Sequence, residues 1–198
     1  MFITLVLLFS IPFVQNKVGS YVTNSLNKDF DTNINIQKVG LKFNGDVSLR
    51  NIFIEDYKKD TLLIVKQLNT SVLSVNNILN NKLTFGDIAI EGLYLNIRTY
   101  QEQLQTNLDV FVDKLDNEAP TTQSKTPFLL SSSDISIKDS GFKLVDDNKQ
   151  KPHILNFTNL NITAQDFLIL GPKVTANINA LSFYDARGVT IKNLATDF

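Results

Sequence analysis

No cysteine occurs among the 198 residues, so the chain can form neither a disulfide nor a thiolate site. Tryptophan is absent as well, and the single histidine, His153, sits between Pro152 and Ile154. A lone imidazole in that setting reads as a surface or loop residue. It excludes a multi-histidine metal centre and a His-based triad. The eight glycines do not cluster, so no phosphate-binding loop is present, and no serine stands in a nucleophile elbow. Charge of neither sign prevails: 19 basic against 20 acidic residues leave a formal net charge of −1. That balance implies no nucleic-acid partner. Asp29-Phe30-Asp31-Thr32-Asn33 opens like a calcium loop, but Ile34 stands where glycine is needed and Gly40 where the bidentate glutamate belongs. A polar cap on a helix end is the simpler reading. The chain reads as a non-enzyme that needs no cofactor and no metal.

Long apolar runs are scarce too, with one exception. Phe2 to Val14 is almost continuously apolar, with Phe2, Leu5, Leu8, Phe9 and Phe13 among its members. A spanning helix needs about 20 apolar residues, and a signal-peptide core fewer. No small-residue cleavage site follows, and no basic residue precedes the run. It reads as an uncleaved membrane anchor; the alternative is a buried apolar helix. Val14, Val18, Tyr21, Val22, Leu26 and Phe30 then recur at helical spacing, which predicts an amphipathic helix up to about residue 30.

From Asn33 the period changes from 3.6 to 2. A short motif recurs four times: Gly45-Asp46-Val47-Ser48-Leu49, Gly86-Asp87-Ile88-Ala89-Ile90, Ser133-Asp134-Ile135-Ser136-Ile137 and Arg187-Gly188-Val189-Thr190-Ile191. The spacings are 41 (46 to 87), 47 (87 to 134) and 54 (134 to 188) residues, which suits one structural unit stacked on copies of itself. Each copy is followed by a polar break and further apolar positions: Ile52/Ile54, Leu93/Leu95, Phe142/Leu144 and Leu194. Phase flips at Arg50-Asn51, Glu91-Gly92 and Lys138–Gly141, where a bulge would keep both apolar pairs on one face. Asn44-Gly45 marks a hairpin, and Asn107 to Leu115 a short helix. The abundant asparagine reads as compositional drift.

The composition of Asn117 to Pro127 marks a linker or loop. The expected sections are therefore 1–30 (anchor and amphipathic helix), 31–116 (first β-section), 117–127 (linker) and 128–198 (second β-section, cut off mid-sheet). The fold class is mainly β, with an N-terminal helix and a long curled antiparallel sheet. One-sided alternation demands cover for the apolar face. A sandwich, a closed barrel, or a sheet curled into an apolar groove would each satisfy it.

The segments Ile11–Val18, Ile34–Val39, Gly45–Asp56, Asp60–Leu63 and Ile88–Leu93, in that order, resemble the N-terminal region of AsmA-like proteins. Within that group they are most similar to the TamB (translocation and assembly module) family of Bacteroidota type. The resemblance implies an inner-membrane single-pass anchor with the bulk of the chain in the periplasm. It implies a β-taco or repeating β-groove that shields phospholipid acyl chains in transit to the outer membrane, or supports outer-membrane protein assembly and secretion. It also implies a partner of the Omp85 assembly type, reached through a further C-terminal region. The groove-lining candidates are Val47, Leu49, Ile88, Ile90, Ile135, Ile137, Val189 and Ile191. The rival readings are a non-enzymatic scaffold that binds client proteins by strand augmentation, and a closed β-sandwich.

Overall fold

The computed structural model describes residues 20, 23–24, 27–28, 31–41, 46–72, 82–116, 129–149, 153–170 and 173–197. The anchor residues Phe2, Leu5, Leu8, Phe9 and Phe13, the Asn44-Gly45 turn and the 117–127 linker lie outside them. Among the described residues no helix is long and apolar enough to cross a membrane.

Eight strands follow the sequence alternation: β1 (Asn33–Leu41), β2 (Asp46–Glu55), β3 (Thr61–Val72), β4 (Lys82–Thr99), β5 (Leu129–Asp146), β6 (His153–Leu170), β7 (Lys173–Asp185) and β8 (Thr190–Asp197). They form one open sheet in sequence order, with β1 and β8 at its edges. Between β4 and β5 lies a helix, α1 (Asn107–Asp116), where the periodicity predicts one. Thr106 caps it: its Oγ1 accepts from Asp109 N–H at 3.1 Å, and Asp109 Oδ2 accepts from Thr106 N–H at 2.9 Å.

One sequence expectation needs correction. The sheet is mixed rather than antiparallel, because β4 and β5 pair in parallel from Lys82↔Leu129 to Thr99↔Asp146. Parallel neighbours need a crossover of a dozen or more residues, and the segment carrying α1 supplies it. The β-sections on either side of 117–127 thus meet in one seam. The polar breaks at Gly92 and at 138–141 do not end strands: β4 and β5 each run 18 residues without interruption, as does β6. A single residue in the left-handed region flips the phase and leaves the ladder intact on either side. Asn51 (φ 52°), Gly92 (φ 63°) and Asp139 (φ 48°) take that conformation at the three expected flips.

Among the described residues the buried apolar side chains include Ile52, Leu62, Val65, Val145 and Leu160. A single-layer sheet buries its apolar face only partly.

Candidate functional site

The strand pairing places the repeated motif on lateral rows. Val39↔Leu49, Leu49↔Leu68, Leu68↔Ile90, Ile90↔Ile137, Ile137↔Ile162, Ile162↔Leu181 and Leu181↔Leu194 are successive partners. One aliphatic row therefore crosses all eight strands, a span of about 33 Å at the usual strand spacing. A second row runs beside it through Val47, Thr70, Ile88, Ile135, Ala164 and Ile178. Cross-strand partners share a face, so the rows form one apolar floor. Val47, Leu49, Ile88, Ile90, Ile135 and Ile137 are all half-buried on it.

The repeat spacing has a direct geometric meaning. Copies two and three lie 47 residues apart, and every β4–β5 pair has that same offset. Copies one and two lie 41 apart, with β3 between them: Leu49↔Leu68↔Ile90 and Ile52↔Val65↔Leu93. The fourth copy does not join them. β2, β4 and β5 run one way and β8 runs the other. Gly188 (φ 93°) belongs to the β7–β8 turn. Val189 precedes β8, is 51% exposed, and its carbonyl accepts from Asp185 N–H at 2.8 Å. Ile191 pairs with Phe183, beside an aromatic cluster in which Phe157 stacks on Phe183 at 4.2 Å and meets Phe142 at 5.7 Å. Leu194, not Ile191, completes the aliphatic row.

Two transverse creases flank the floor. At each, two consecutive residues turn to the polar face. The first runs through Arg50-Asn51, Glu91-Gly92 and Lys138-Asp139, then steps one rung along β6 to Thr158-Asn159 (Asn159 φ 51°). The second runs through Gly86-Asp87 and Ser133-Asp134 to Gln165-Asp166 (Asp166 φ 53°). Side chains take up backbone groups there. Ser132 Oγ donates to Gly86 O at 2.5 Å, and Leu93 N–H donates to Ser140 Oγ at 3.1 Å. Asn161 Oδ1 accepts from Asp139 N–H at 3.1 Å, and its amide donates to Asn159 O at 2.9 Å. Asn177 donates to Asp166 Oδ2 at 3.0 Å. Asn51 and Asn159 thus take the left-handed backbone, which asparagine tolerates, while Asn161 and Asn177 bridge to the creases. Asn51 and Asn159 each stand two residues after an apolar one and directly before the next.

A polar cluster closes the end of the sheet where the β2–β3 turn, the end of β4 and the start of α1 meet. Asp56 is nearly buried. Its Oδ1 accepts from Lys58 N–H (2.8 Å) and Asp60 N–H (3.0 Å). Its Oδ2 accepts from the Tyr100 hydroxyl (2.6 Å) and the Asn107 amide (2.9 Å). The Tyr100 hydroxyl also lies 2.7 Å from Asp60 Oδ2, so one proton serves two carboxylates. Arg98 bonds Asp147 at 2.6 Å. Both Asp56 oxygens are occupied by these donors. Among the described residues no group of three side chains could hold a metal ion. A cleft of about 280 Å³ beside this cluster is lined by Asp31, Tyr57, Phe111 and Lys114.

Burial, reinforced by the hydrogen bonds to Asp56 and Asp60, pushes the Tyr100 phenol well above its ordinary value; burial and then the Asp56 charge raise Tyr57. The unfolded chain ionises these phenols near pH 10 while the folded chain resists. Their contribution to stability is therefore complete below pH 10 and is lost as pH rises above it. Conversely, the hydrogen bond and charge of Arg187 hold Asp185 below the usual carboxylate range, and Lys114 does the same for Asp31. That contribution is present above about pH 4 and is lost as pH falls below it. Ultraviolet titration should show the Tyr100 phenol ionising only as the alkaline transition unfolds the chain. Five tyrosines titrating together before unfolding would contradict this.

No family model matches the chain, and no curated protein matches it.

Proposed function

We propose that the chain shields the acyl chains of phospholipids on the apolar face of its sheet. The proposed setting is the N-terminal part of an envelope protein of TamB/AsmA-like type, anchored in the inner membrane with its bulk in the periplasm. One observation carries the reading: an aliphatic row and, beside it, a row interrupted only by Thr70 cross the sheet unbroken by charge, and most of their side chains, Thr70 and Ala164 apart, are not buried. A folded chain that needed nothing on this face would seal it under a second layer, and among the described residues there is one sheet. α1 packs chiefly on β4. Burying a methylene against such a surface contributes about 0.8 kcal/mol whatever the headgroup. A C16 chain therefore gains enough from contact to leave water and still slide between equivalent positions along a row. Shielding of this kind needs no catalytic group. Passage of phospholipid toward the outer membrane, and a partner of the Omp85 assembly type, belong to this proposal through the family resemblance.

The test is native mass spectrometry with lipid extraction on the full chain purified from a bacterial envelope. Phospholipid should co-purify with the wild type. Ile90→Asp with Ile137→Asp, neighbours in one row, should remove most of it while far-ultraviolet circular dichroism stays unchanged. A lipid-free wild type would overturn the proposal.

A second reading has its own support. Among the described residues β8 has one strand neighbour, and its residues are exposed at seven of eight positions; unpaired edges accept strands. Client binding by augmentation would then depend on the β8 backbone. Proline at Lys192 would abolish it, whereas the aspartate pair in the floor would not.

A further inference from the structure

We infer that the two creases, rather than the aliphatic rows between them, make the apolar face concave. Asn51, Gly92, Asp139 and Asp166 act as positioning residues for whatever lies on the floor. The inference rests on the lipid-shielding reading for its functional consequence, but its geometry stands without it.

The argument begins with strand phase. In a regular strand Leu49 and Ile52 would point to opposite faces. Here Arg50 and Asn51 are both exposed and Ile52 is buried, so the polar face carries two residues where regular alternation would place one. The same pattern occurs at Lys138-Asp139 before buried Ser140, at Thr158-Asn159 before buried Leu160, and in reverse after buried Ala164 at Gln165-Asp166. An extra residue on one face lengthens that face, so the strand bends toward the shorter, apolar face. From β2 to β5 the register runs on unshifted past these positions, so they are left-handed corners taken in step rather than bulges. One such corner would kink one strand. These lie side by side: Glu91 pairs with Lys138, and Arg50 reaches the same level through Gln67. Asp134 pairs with Gln165 on the second line. Aligned bends add into a fold across the sheet. The floor between the two folds is two rows wide on β4 and β5 and three on β6 (Leu160, Ile162 and Ala164), and the flanking rows become its walls.

Residue identity agrees. Asparagine, aspartate and glycine tolerate positive φ, and β-branched residues do not. A Cβ on Gly92 would stand 2.5 Å from Lys66 Cδ, the flexible part of a side chain, so the backbone conformation is the main demand there.

The experiment exploits the absence of cysteine. Ser131→Cys and Lys143→Cys put spin labels on the polar face of β5, one beyond each crease. A straight strand would separate their Cα atoms by about 40 Å; the creased strand should read shorter by electron–electron double resonance. Asn51→Val, Gly92→Val and Asp139→Val together should lengthen the distance by roughly 3 Å or more, the rise of one strand residue. Co-purifying phospholipid should fall at least fivefold. Asn51→Gly with Asp139→Gly, which keep the left-handed conformation, should change neither. If the triple variant does not fold, Asp139→Val alone, on the labelled strand, decides. An unchanged distance in a folded β-branched variant would overturn the inference. The distance is read without lipid, so a lipid-free wild type with the expected distances would sink the proposed function and leave the creases standing.

Discussion

Asp56→Ala should lower stability by about 3 kcal/mol, since hydrogen bonds to a charged group contribute roughly 1.5–3 kcal/mol each. For a chain of this size that is a fall of roughly 6–12 °C in Tm. The side chain is 6% exposed and accepts four hydrogen bonds, two from its own turn and two from Tyr100 and Asn107. Truncation would leave the wholly buried Asn107 with Asn96 O as its remaining acceptor and Arg98 N–H as its donor. Tyr100 would keep Asp60. The loss should therefore be several kcal/mol at most, and it should be local in character. Asp56 ties the β2–β3 turn to the place where β4 hands the chain to α1, so hydrogen exchange should quicken first in residues 100–116. Asn107→Ala added to Asp56→Ala should cost less than the sum of the two, because both remove one network. Full additivity, or a change in Tm under 2 °C, would mean that the hub is not holding the crossover.

Leu62→Ala is the second large effect, at about 2–5 kcal/mol. Leu62 is 1% exposed, and only a few large apolar side chains in the described sheet are so deeply buried. The comparison that gives this prediction its value is with Ile90→Ala and Ile137→Ala. Those positions are half-buried in the floor, so each should cost less than about 1.5 kcal/mol, because partly exposed side chains have less burial to lose. If the floor serves a ligand, the alanine pair should reduce bound phospholipid more than it reduces stability, and Leu62→Ala should do the reverse. Equal stability costs at the three positions would make the floor an ordinary core. Chemical denaturation with lipid quantification on the same preparations separates the two.

Much of the architecture is legible in the residues. Alternation from Asn33 through Ile54 predicts strands where β1 and β2 lie, because a half-buried strand must alternate. The helix from Asn107 is legible from its spacing, and the structure adds its Thr106–Asp109 cap. Phase flips at Asn51, Gly92 and Asp139 were visible as two adjacent polar residues between apolar pairs. Their consequence was harder to see. They read as polar breaks or bulges within single strands, since local sequence cannot say whether the neighbouring strands flip in step. Strand direction was invisible for the same reason. The first three motif copies share a direction and the fourth does not, yet Val189 and Ile191 carry the same alternation as Ile88 and Ile90. Only the Asp185–Val189 turn, held by Asp185 and Arg187, shows that the fourth copy starts in a hairpin.

The amino-acid sequence by itself determined the period, the face and the repeat: which side chains are apolar, that they recur every second residue, and that the unit returns at 41 and 47 residues. Those properties are local, set by the strand's two-residue alternation and by side-chain chemistry. Tertiary structure alone decided that copies two and three lie in parallel, that the aliphatic positions join into rows across all eight strands, and that Asp56 is the knot at one end. Each of these depends on which strands become neighbours and in what register. That choice is made by hydrogen bonds between segments far apart in the chain, and no single segment encodes it.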